Sequence, residues 1–279
     1  MKMLYTNLSN GVKMPLLGLG TYLMSKEECK KSTFFALENG YELIDTAQGY
    51  KNETAVGEAL KESGIDRKNV FLVTKVNFKN YERCYDSVLQ SMKDLQVDYI
   101  DLVLSHWPFN NYYKAWRDLE KLYKQGYLRA IGVSNFNPDR LVDLINYNEI
   151  TPHANQIETN LFCQRLPDRP WLEKYKVHQI GYAPLGQNRR NEMFALPLVQ
   201  ELSKKYGKTE AQIMLKFFID CGMTVIPKSV HENRILENIN IFDFSLTKEE
   251  ILSLQQLDKN TALIGFPENP IRAESAKNW

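Results

Sequence analysis

Four ionisable residues of this 279-residue chain have the chemical types needed to protonate a carbonyl oxygen: Asp45, Tyr50, Lys75 and His106. A free tyrosine has a pKa of ~10 and gives up its proton reluctantly at neutral pH. A nearby Lys75 ammonium would lower that pKa, and Asp45 would keep the ammonium charged despite burial. His106 could then orient the carbonyl oxygen while Tyr50 protonates it. None of these groups is a hydride source, so a reduction here would need a cofactor.

A second group of residues is suited to a phosphate monoester. Lys228, Ser229 and Arg234 place two cations and a hydroxyl close together in the segment IPKSVHENR. Guanidinium and ammonium groups both bind phosphate oxygens well. Taken alone, the segment is also typical of a solvated helix start. No G-x-G-x-x-G motif follows a predicted strand, so a Rossmann-type dinucleotide site is not expected.

Eight short apolar runs along the chain are predicted to be β-strands. They begin near Leu16, Tyr41, Val70, Tyr99, Ala130, His153, Gln179 and Met223. The steps between them fit a strand, a helix and two loops, except for a longer last step where we expect an inserted loop. Strict alternation of strands and helices implies a parallel sheet. Eight such units favour an α/β fold closed into a (β/α)8 TIM barrel.

Helix start signals and turn signals fill the intervals between these runs. The helix starts are Ser25 with Glu28, Asn137 with Pro138, Thr209 with Gln212, and Thr247 with Glu250. Segment 4–16 reads as a β-hairpin that would close the bottom of the barrel. Segment 264–279 is expected to be an irregular tail. Because no linker is evident, residues 1–279 are predicted to form a single barrel domain.

Polar residues recur where the predicted strands end. In barrels of this kind the active site lies at the C-terminal ends of the strands. The strand-end residues, from strand two to strand eight, are Asp45, Lys75, His106, Ser134 with Asn135, Gln156, Tyr182, and Lys228 with Ser229. Tyr50 lies just beyond the second strand. These side chains are therefore expected to meet over one mouth of the barrel.

Composition narrows the range of partners and compartments. The chain has 35 Lys and Arg against 34 Asp and Glu, so we expect no nucleic-acid partner and no anionic membrane surface. No apolar run is long enough to span a bilayer, and the N-terminus lacks the apolar core of a signal peptide. Cysteines and histidines are too scattered for disulfides or a metal site. We expect a cytoplasmic monomer that acts on a small molecule.

Along essentially its full length the chain resembles the aldo-keto reductase family. The matching segments are GLGTY (18–22), GYELIDTAQGYKNETAVG (40–57), LVTK (72–75), HWP (106–108), GVSNF (132–136), NQIE (155–158), YAPLG (182–186) and IPKSV with the following R and EN (226–238). The short stretch after His106 is similar to that of the smaller bacterial members. Two segments depart from the family pattern, Glu42–Leu43 and 159–161. Neither includes a residue of the chemistry, so the departures leave only substrate specificity and local packing open.

The resemblance implies NADPH-dependent reduction of aldehydes and ketones, with Asp45, Tyr50, Lys75 and His106 as the catalytic tetrad and Tyr50 as general acid. The implied cofactor-binding residues are Gly20, Thr21 and Leu185 along the cofactor cleft; Ser134, Asn135 and Gln156 at the nicotinamide carboxamide; Tyr182 stacked on the nicotinamide ring; Lys228, Ser229 and Arg234 at the 2′-phosphate; and Glu237 with Asn238 at the adenine. Tyr22 and Trp107 match substrate-pocket positions.

Two other functions remain open from the sequence. A lysine at a strand end inside a barrel is also the arrangement of a Schiff-base aldolase, in which Lys75 would be the nucleophile. Against this, Asp45 would hold Lys75 protonated, and the IPKS segment would have no purpose. The second alternative is a non-catalytic nicotinamide-binding regulatory subunit, which an intact tetrad disfavours.

Overall fold

An antiparallel β-hairpin begins the part of the chain that the computed structural model describes, residues 3–264 and 266–278. Its strands are β1 (Tyr5–Asn7) and β2 (Lys13–Pro15). Leu8 and Met14 pack into a buried cluster formed by inward-facing residues of the barrel strands, such as Leu102. The hairpin thus plugs the bottom of the barrel, as predicted.

Eight parallel strands of the described chain form the barrel wall, and each pairs with the next in sequence order. They are β3 (Leu19–Gly20), β4 (Leu43–Asp45), β5 (Phe71–Val76), β6 (Ile100–Ser105), β7 (Leu128–Ser134), β8 (Ala154–Glu158), β9 (His178–Tyr182) and β10 (Thr224–Val225). A parallel bridge between Leu17 and Val225 joins the first strand to the last. The Gly18 amide donates to the Val225 carbonyl at 2.9 Å, and the Gly20 amide donates to the Pro227 carbonyl at 3.1 Å. The predicted (β/α)8 barrel is confirmed.

Twelve α-helices lie within the described residues, and most pack around the outside of the barrel. They are α1 (Lys26–Glu38), α2 (Glu53–Ser63), α3 (Cys84–Asp94), α4 (Tyr112–Lys124), α5 (Pro138–Asn146), α6 (Arg169–Lys174), α7 (Arg190–Phe194), α8 (Pro197–Tyr206), α9 (Glu210–Asp220), α10 (Glu232–Ile239), α11 (Lys248–Gln255) and α12 (Pro270–Ala276). The capping boxes predicted for α1, α9 and α11 are present. Asn137 stands at the N-cap of α5, but its side chain instead contacts Arg165 and Glu268.

Two expectations about irregular segments need correction. The long step after β9 contains, besides the predicted helix α9, two further helices, α7 and α8, where an inserted loop was expected. The C-terminal segment is not an irregular tail, because residues 270–276 form α12. Asn269 caps this helix by accepting from the Ile271 amide at 3.0 Å, and Pro270 occupies the first turn. A capping residue followed by proline is a helix start signal, so Asn269 and Pro270 indicate this helix in the sequence as well.

Asp101 of β6 joins two arginines at the bottom of the barrel. Its carboxylate accepts from Arg67 and Arg129, both at 2.6 Å, and from the Leu72 amide at 3.0 Å. The aspartate side chain is fully buried, while the arginines are partly exposed.

We expect Asp101→Asn to lower the free energy of unfolding by about 2–3 kcal/mol, because two cations lose their charge-assisted partner. Urea denaturation measures the change. The exposed Asp98 offers a matched control, since Asp98→Asn removes the same charge without a buried contact. Equal stabilities for the two variants would contradict the role given to the Asp101 cluster.

Candidate active site

The four candidate catalytic residues lie together at the C-terminal end of the barrel. Asp45 ends β4, Lys75 lies near the end of β5, and His106 directly follows β6. Tyr50 ends a short 3-10 turn, 48–50, that leads into α2. The Lys75 Nζ donates to Asp45 Oδ1 at 2.5 Å and lies 5.0 Å from the centre of the Tyr50 ring. The Tyr50 and His106 ring centres are 5.8 Å apart.

Burial governs the protonation of the ion pair at the floor of this site. Lys75 is 0% exposed and Asp45 is 2% exposed. Burial raises the pKa of Asp45 and lowers that of Lys75, while their mutual attraction opposes both shifts. Lys75 also donates to the Thr46 carbonyl at 2.9 Å. Each charge is therefore compensated by a direct partner, as a buried ion pair requires.

Tyr50 and His106 both favour their neutral forms. The pKa of Tyr50 lies well above its usual value, first because of burial and second because of the Asp45 charge. We expected the Lys75 ammonium to lower this pKa. In this structure burial, followed by the Asp45 charge, raises it instead. Burial, followed by the Lys75 charge, holds the pKa of His106 well below its usual value. Tyr50 thus keeps its proton at neutral pH, and His106 is an uncharged imidazole.

A chain of hydrogen bonds extends from Asp45 across the floor of the mouth. The Gln156 amide of β8 donates to Asp45 Oδ2 at 2.7 Å. The Ser134 hydroxyl at the end of β7 donates to the Gln156 carbonyl at 2.9 Å. Gln156 and Ser134 are both buried. The predicted carboxamide-binding residues therefore hold one another and the ion pair in place.

Asn135 connects this chain to His106 and Tyr182. Its amide donates to the His106 carbonyl at 3.1 Å, and its Oδ1 accepts from the Tyr182 hydroxyl at 2.8 Å. Asn135 has a φ of 63°, in the left-handed region that asparagine adopts more readily than most residues. This backbone conformation lets the chain turn sharply at the end of β7.

A cavity of ≈ 740 Å³ opens over these residues. The predicted site residues that line it are Gly20, Tyr22, Asp45, Tyr50, His106, Trp107, Ser134, Asn135, Gln156, Tyr182, Leu185 and Lys228. Lys75 lies buried beneath it against Asp45. Thr21 is also buried, and its hydroxyl donates to the Asp45 carbonyl at 2.9 Å. A Cβ on Gly20 would lie 2.8 Å from the Ile226 carbonyl oxygen, so only glycine fits this part of the wall.

The candidate phosphate-binding residues follow β10 at the rim of the mouth. Lys228 and Arg234 are exposed, and Lys228 borders the cavity. Ser229 is buried, and its hydroxyl accepts from the His231 amide at 3.0 Å. Ser229 thus supports the turn between the two cations and is not open to solvent.

The two candidate adenine-binding residues are placed differently on α10. Glu237 accepts from the Thr209 hydroxyl at 2.7 Å, and Asn238 is buried. Neither borders the cavity. Their predicted contact with adenine stays a prediction.

Sequence reasoning missed several residues that line the cavity. They include Leu23, Asn77, Phe78, Gln187, Arg190, Ile264 and Arg272. The Arg272 guanidinium of α12 lies 4.5 Å from the centre of the Trp107 ring, and the Tyr22 and Tyr50 ring centres are 5.0 Å apart. The Asn269-Pro270 start signal would have identified the helix that carries Arg272. The part of the cavity around Tyr22, Tyr50 and Trp107 is therefore aromatic, with the Arg272 guanidinium beside it.

Two kinds of feature are absent from the described residues 3–264 and 266–278. No helix there combines the length and apolar character needed to cross a bilayer. No group of three or more His, Cys, Asp or Glu side chains there is arranged to hold a metal ion.

Comparison with known proteins assigns the chain to a family. Residues 16–259 match the model of the Aldo/keto reductase family. The chain is 40% identical over 264 residues to the methylglyoxal reductase DkgA of Escherichia coli (strain K12), covering 94% of this chain and 96% of that protein. An aldo-keto reductase enzyme, MGS-M4, from a Medee basin deep-sea metagenome library superimposes with a TM-score of 0.92 at 35% identity, covering 95% of this chain and 98% of that one.

The Bombyx mori aldo-keto reductase in complex with NADP gives a TM-score of 0.88 at 31% identity, covering 95% of this chain and 96% of that one. The match of family model, sequence and structure extends over nearly the whole barrel. The sequence resemblance is thereby confirmed, and this chain belongs to the aldo/keto reductase family.

Proposed function

We propose that this protein reduces aldehydes and ketones to alcohols with NADPH, using Tyr50 as the proton donor. One observation carries the proposal. A protonated tyrosine, a neutral histidine and a buried lysine–aspartate pair converge beneath one cavity that the exposed cation Lys228 borders. These are the groups that general acid catalysis at a carbonyl requires. The reductase relatives support the same reaction class.

The residues of the cavity fit a nicotinamide dinucleotide, which supplies the hydride when bound. Ser134, Asn135 and Gln156 offer hydroxyl and amide groups for a carboxamide, and Tyr182 offers an aromatic ring beside them. Lys228 and Arg234 are suited to the 2′-phosphate. At Gly20 the absence of a Cβ keeps the wall open next to Ile226. The NADP bound to the Bombyx mori relative supports this choice of cofactor.

The chain's own contribution is to orient the carbonyl and deliver a proton to its oxygen. The neutral His106 imidazole donates a hydrogen bond to that oxygen and so fixes its direction. The Tyr50 hydroxyl then gives its proton to the same oxygen, which becomes the alcohol. Lys75 stabilises the phenolate that forms, because its ammonium lies beside the Tyr50 ring. Asp45 keeps Lys75 charged during this step.

The aldolase alternative is disfavoured by the state of Lys75. A Schiff base needs an uncharged, accessible amine. The Lys75 amine is fully buried and donates to two oxygens, Asp45 Oδ1 and the Thr46 carbonyl. Borohydride in the presence of substrate would trap a lysine adduct only if the aldolase reaction occurs. The regulatory-subunit alternative is disfavoured because the relatives are named as reductases and dehydrogenases.

We expect NADPH to be oxidised with a panel of aldehydes, ketones, keto acids and sugars that starts with methylglyoxal, the compound in the relative's name. NADPH should bind about 100-fold more tightly than NADH. Two charged hydrogen bonds to the 2′-phosphate contribute ~3 kcal/mol of binding free energy at the low end. A tenfold change in the dissociation constant corresponds to about 1.4 kcal/mol. Fluorescence titration measures both dissociation constants, and NADPH absorbance follows turnover.

Arg234→Ala is the matched variant for this test. It should weaken NADPH binding by about tenfold or more and leave NADH binding unchanged, because only the phosphate contact is lost. Added salt should reduce the preference, since Lys228 and Arg234 are exposed. Equal dissociation constants for the two coenzymes in the wild-type protein would refute this use of the IPKS segment.

A further inference from the structure

A second buried carboxylate, that of Glu53, lies behind the candidate active site. Glu53 is the first residue of α2, three positions after Tyr50, and is 7% exposed. Its carboxylate accepts from the Thr74 hydroxyl at 2.6 Å and from the Ser91 hydroxyl at 3.2 Å. Thr74 is the neighbour of Lys75 on β5. Glu53 therefore ties the segment that carries the proton donor to the strand that carries the lysine.

Gln48 holds the other side of the same turn. Its amide donates to the Ser91 hydroxyl at 3.1 Å and to the Ser87 carbonyl at 3.0 Å, and its Oε1 accepts from the Asn77 amide at 3.0 Å. Ser91 thus contacts both Gln48 and Glu53. The turn that carries Tyr50 is fixed to β5 and α3 through buried or half-buried side chains on both of its flanks.

The carboxylate of Glu53 acts electrostatically on Lys75. Burial raises the pKa of Glu53 to about 7; its hydrogen bonds from Thr74 and Ser91 oppose this shift, Asp94 of α3 adds to it, and Lys75 of β5 opposes it. Conversely, Glu53 supports the protonated form of Lys75, after the larger effect of Asp45.

The helix α1 contributes no charge at this point. Its Cys29 thiol faces the Asn52 carbonyl at 3.9 Å, and burial raises the pKa of that thiol to about 11. The thiol therefore stays neutral while Glu53 titrates. The charged groups that act on Glu53 are Lys75 and Asp94.

We propose that Glu53 is a positioning residue of the reduction, which holds the Tyr50 turn against β5 and places a carboxylate behind Lys75. The role rests on the proposed reductase function. In this role Glu53, a buried carboxylate outside the tetrad, influences how proton donation by Tyr50 depends on pH. Since Glu53 touches neither Tyr50 nor the cavity, it acts through Lys75 and through the backbone of the turn.

Replacing Glu53 with glutamine preserves shape and can still accept from Thr74, but it removes the charge. The pKa of Lys75 should then fall, so the alkaline limb of the single-turnover rate should move down by about one pH unit. Below its pKa of about 7 the Glu53 side chain is protonated and uncharged, like the glutamine that replaces it. Wild type and E53Q should therefore show similar rates near pH 6 and diverge above neutrality. A purely structural defect would lower the rate by the same factor at every pH.

The experiment follows the single-turnover oxidation of bound NADPH by methylglyoxal, or by the best substrate of the panel, between pH 5.5 and about 10. In parallel, infrared difference spectroscopy of the protein without cofactor detects the carbonyl stretch of a protonated carboxylic acid. In the wild type this band should appear as the pH falls through about 7. It should be missing in E53Q. Asp94→Asn keeps Glu53 but removes a charge that raises its pKa, so the midpoint should move lower.

Parallel pH profiles for wild type and E53Q would overturn the proposal, as would a wild-type band that E53Q retains. If E53Q fails to fold, the Asp94→Asn variant provides the test. An Asp94→Asn protein whose carboxylic acid band has the same pH midpoint as the wild type would also overturn the proposal. If the wild-type protein fails to oxidise NADPH with every carbonyl compound of the panel, that result would refute the proposed reductase function instead. The infrared titration needs no turnover, so the two failures are distinguishable.

Discussion

Tyr50→Phe is expected to slow carbonyl reduction by about 100- to 10,000-fold, the range that general acid catalysis contributes. The phenylalanine ring keeps the contacts of Tyr50 with Tyr22 and His106, whose ring centres lie 5.0 Å and 5.8 Å away. Only the proton donor is lost. NADPH should bind as before, because the exposed cations Lys228 and Arg234 are untouched.

The measurement is the single-turnover rate, since product release can hide a slower chemical step. Tyr22→Phe provides the control, because it removes a hydroxyl from a neighbouring, exposed ring of the same cavity. It should retain most of the activity. If Tyr50→Phe keeps more than about a tenth of the wild-type rate, Tyr50 is not the proton donor.

Lys75→Met is expected to lower the rate by at least about 100-fold, because the phenolate of Tyr50 loses the cation beside it. The pKa of Tyr50 should rise further, so any remaining activity should have its optimum at higher pH. The substitution also leaves the Asp45 carboxylate buried without its cation. Breaking one side of a buried ion pair costs about 3–5 kcal/mol of folding stability.

The double variant Asp45→Asn/Lys75→Met separates the two effects. It removes both charges, so urea denaturation should find much of the lost stability restored. Gln156 can still contact the asparagine that replaces Asp45. The reduction rate should stay low, because the cation is still absent. Recovery of the rate together with stability would mean that Lys75 serves folding alone.

Local sequence patterns were sufficient to predict the barrel and its strand-end residues. Asp45 and Lys75 follow short apolar runs, and the regular alternation of such runs with capped helices predicts where the strands end. The capping boxes at Ser25, Thr209 and Thr247 are equally local, since both partners lie within four residues of each other. The helix at 270–276 has an equally local start signal, Asn269 followed by Pro270, although an irregular tail was expected there.

The protonation states could not be predicted from the same patterns. The sequence places a lysine near Tyr50, and from that alone a lowered tyrosine pKa was expected. In the structure, burial and Asp45 raise the pKa instead. Desolvation depends on how many other groups cover the hydroxyl, and those groups come from separate strands. For the same reason no local sequence pattern indicates that burial raises the pKa of Glu53 to about 7.

The sequence by itself therefore determined the order of the elements, the family and the chemical types at the mouth, because hydrophobic period and capping are properties of neighbouring residues. Tertiary structure alone decided which groups became partners. Gln156 reaches Asp45 across 111 positions, and Arg272 of the last helix lies against Trp107. These contacts exist because the first and last strands close into a ring at Leu17 and Val225. Closure brings distant strand ends together and buries them, and burial sets both their hydrogen bonds and their charge.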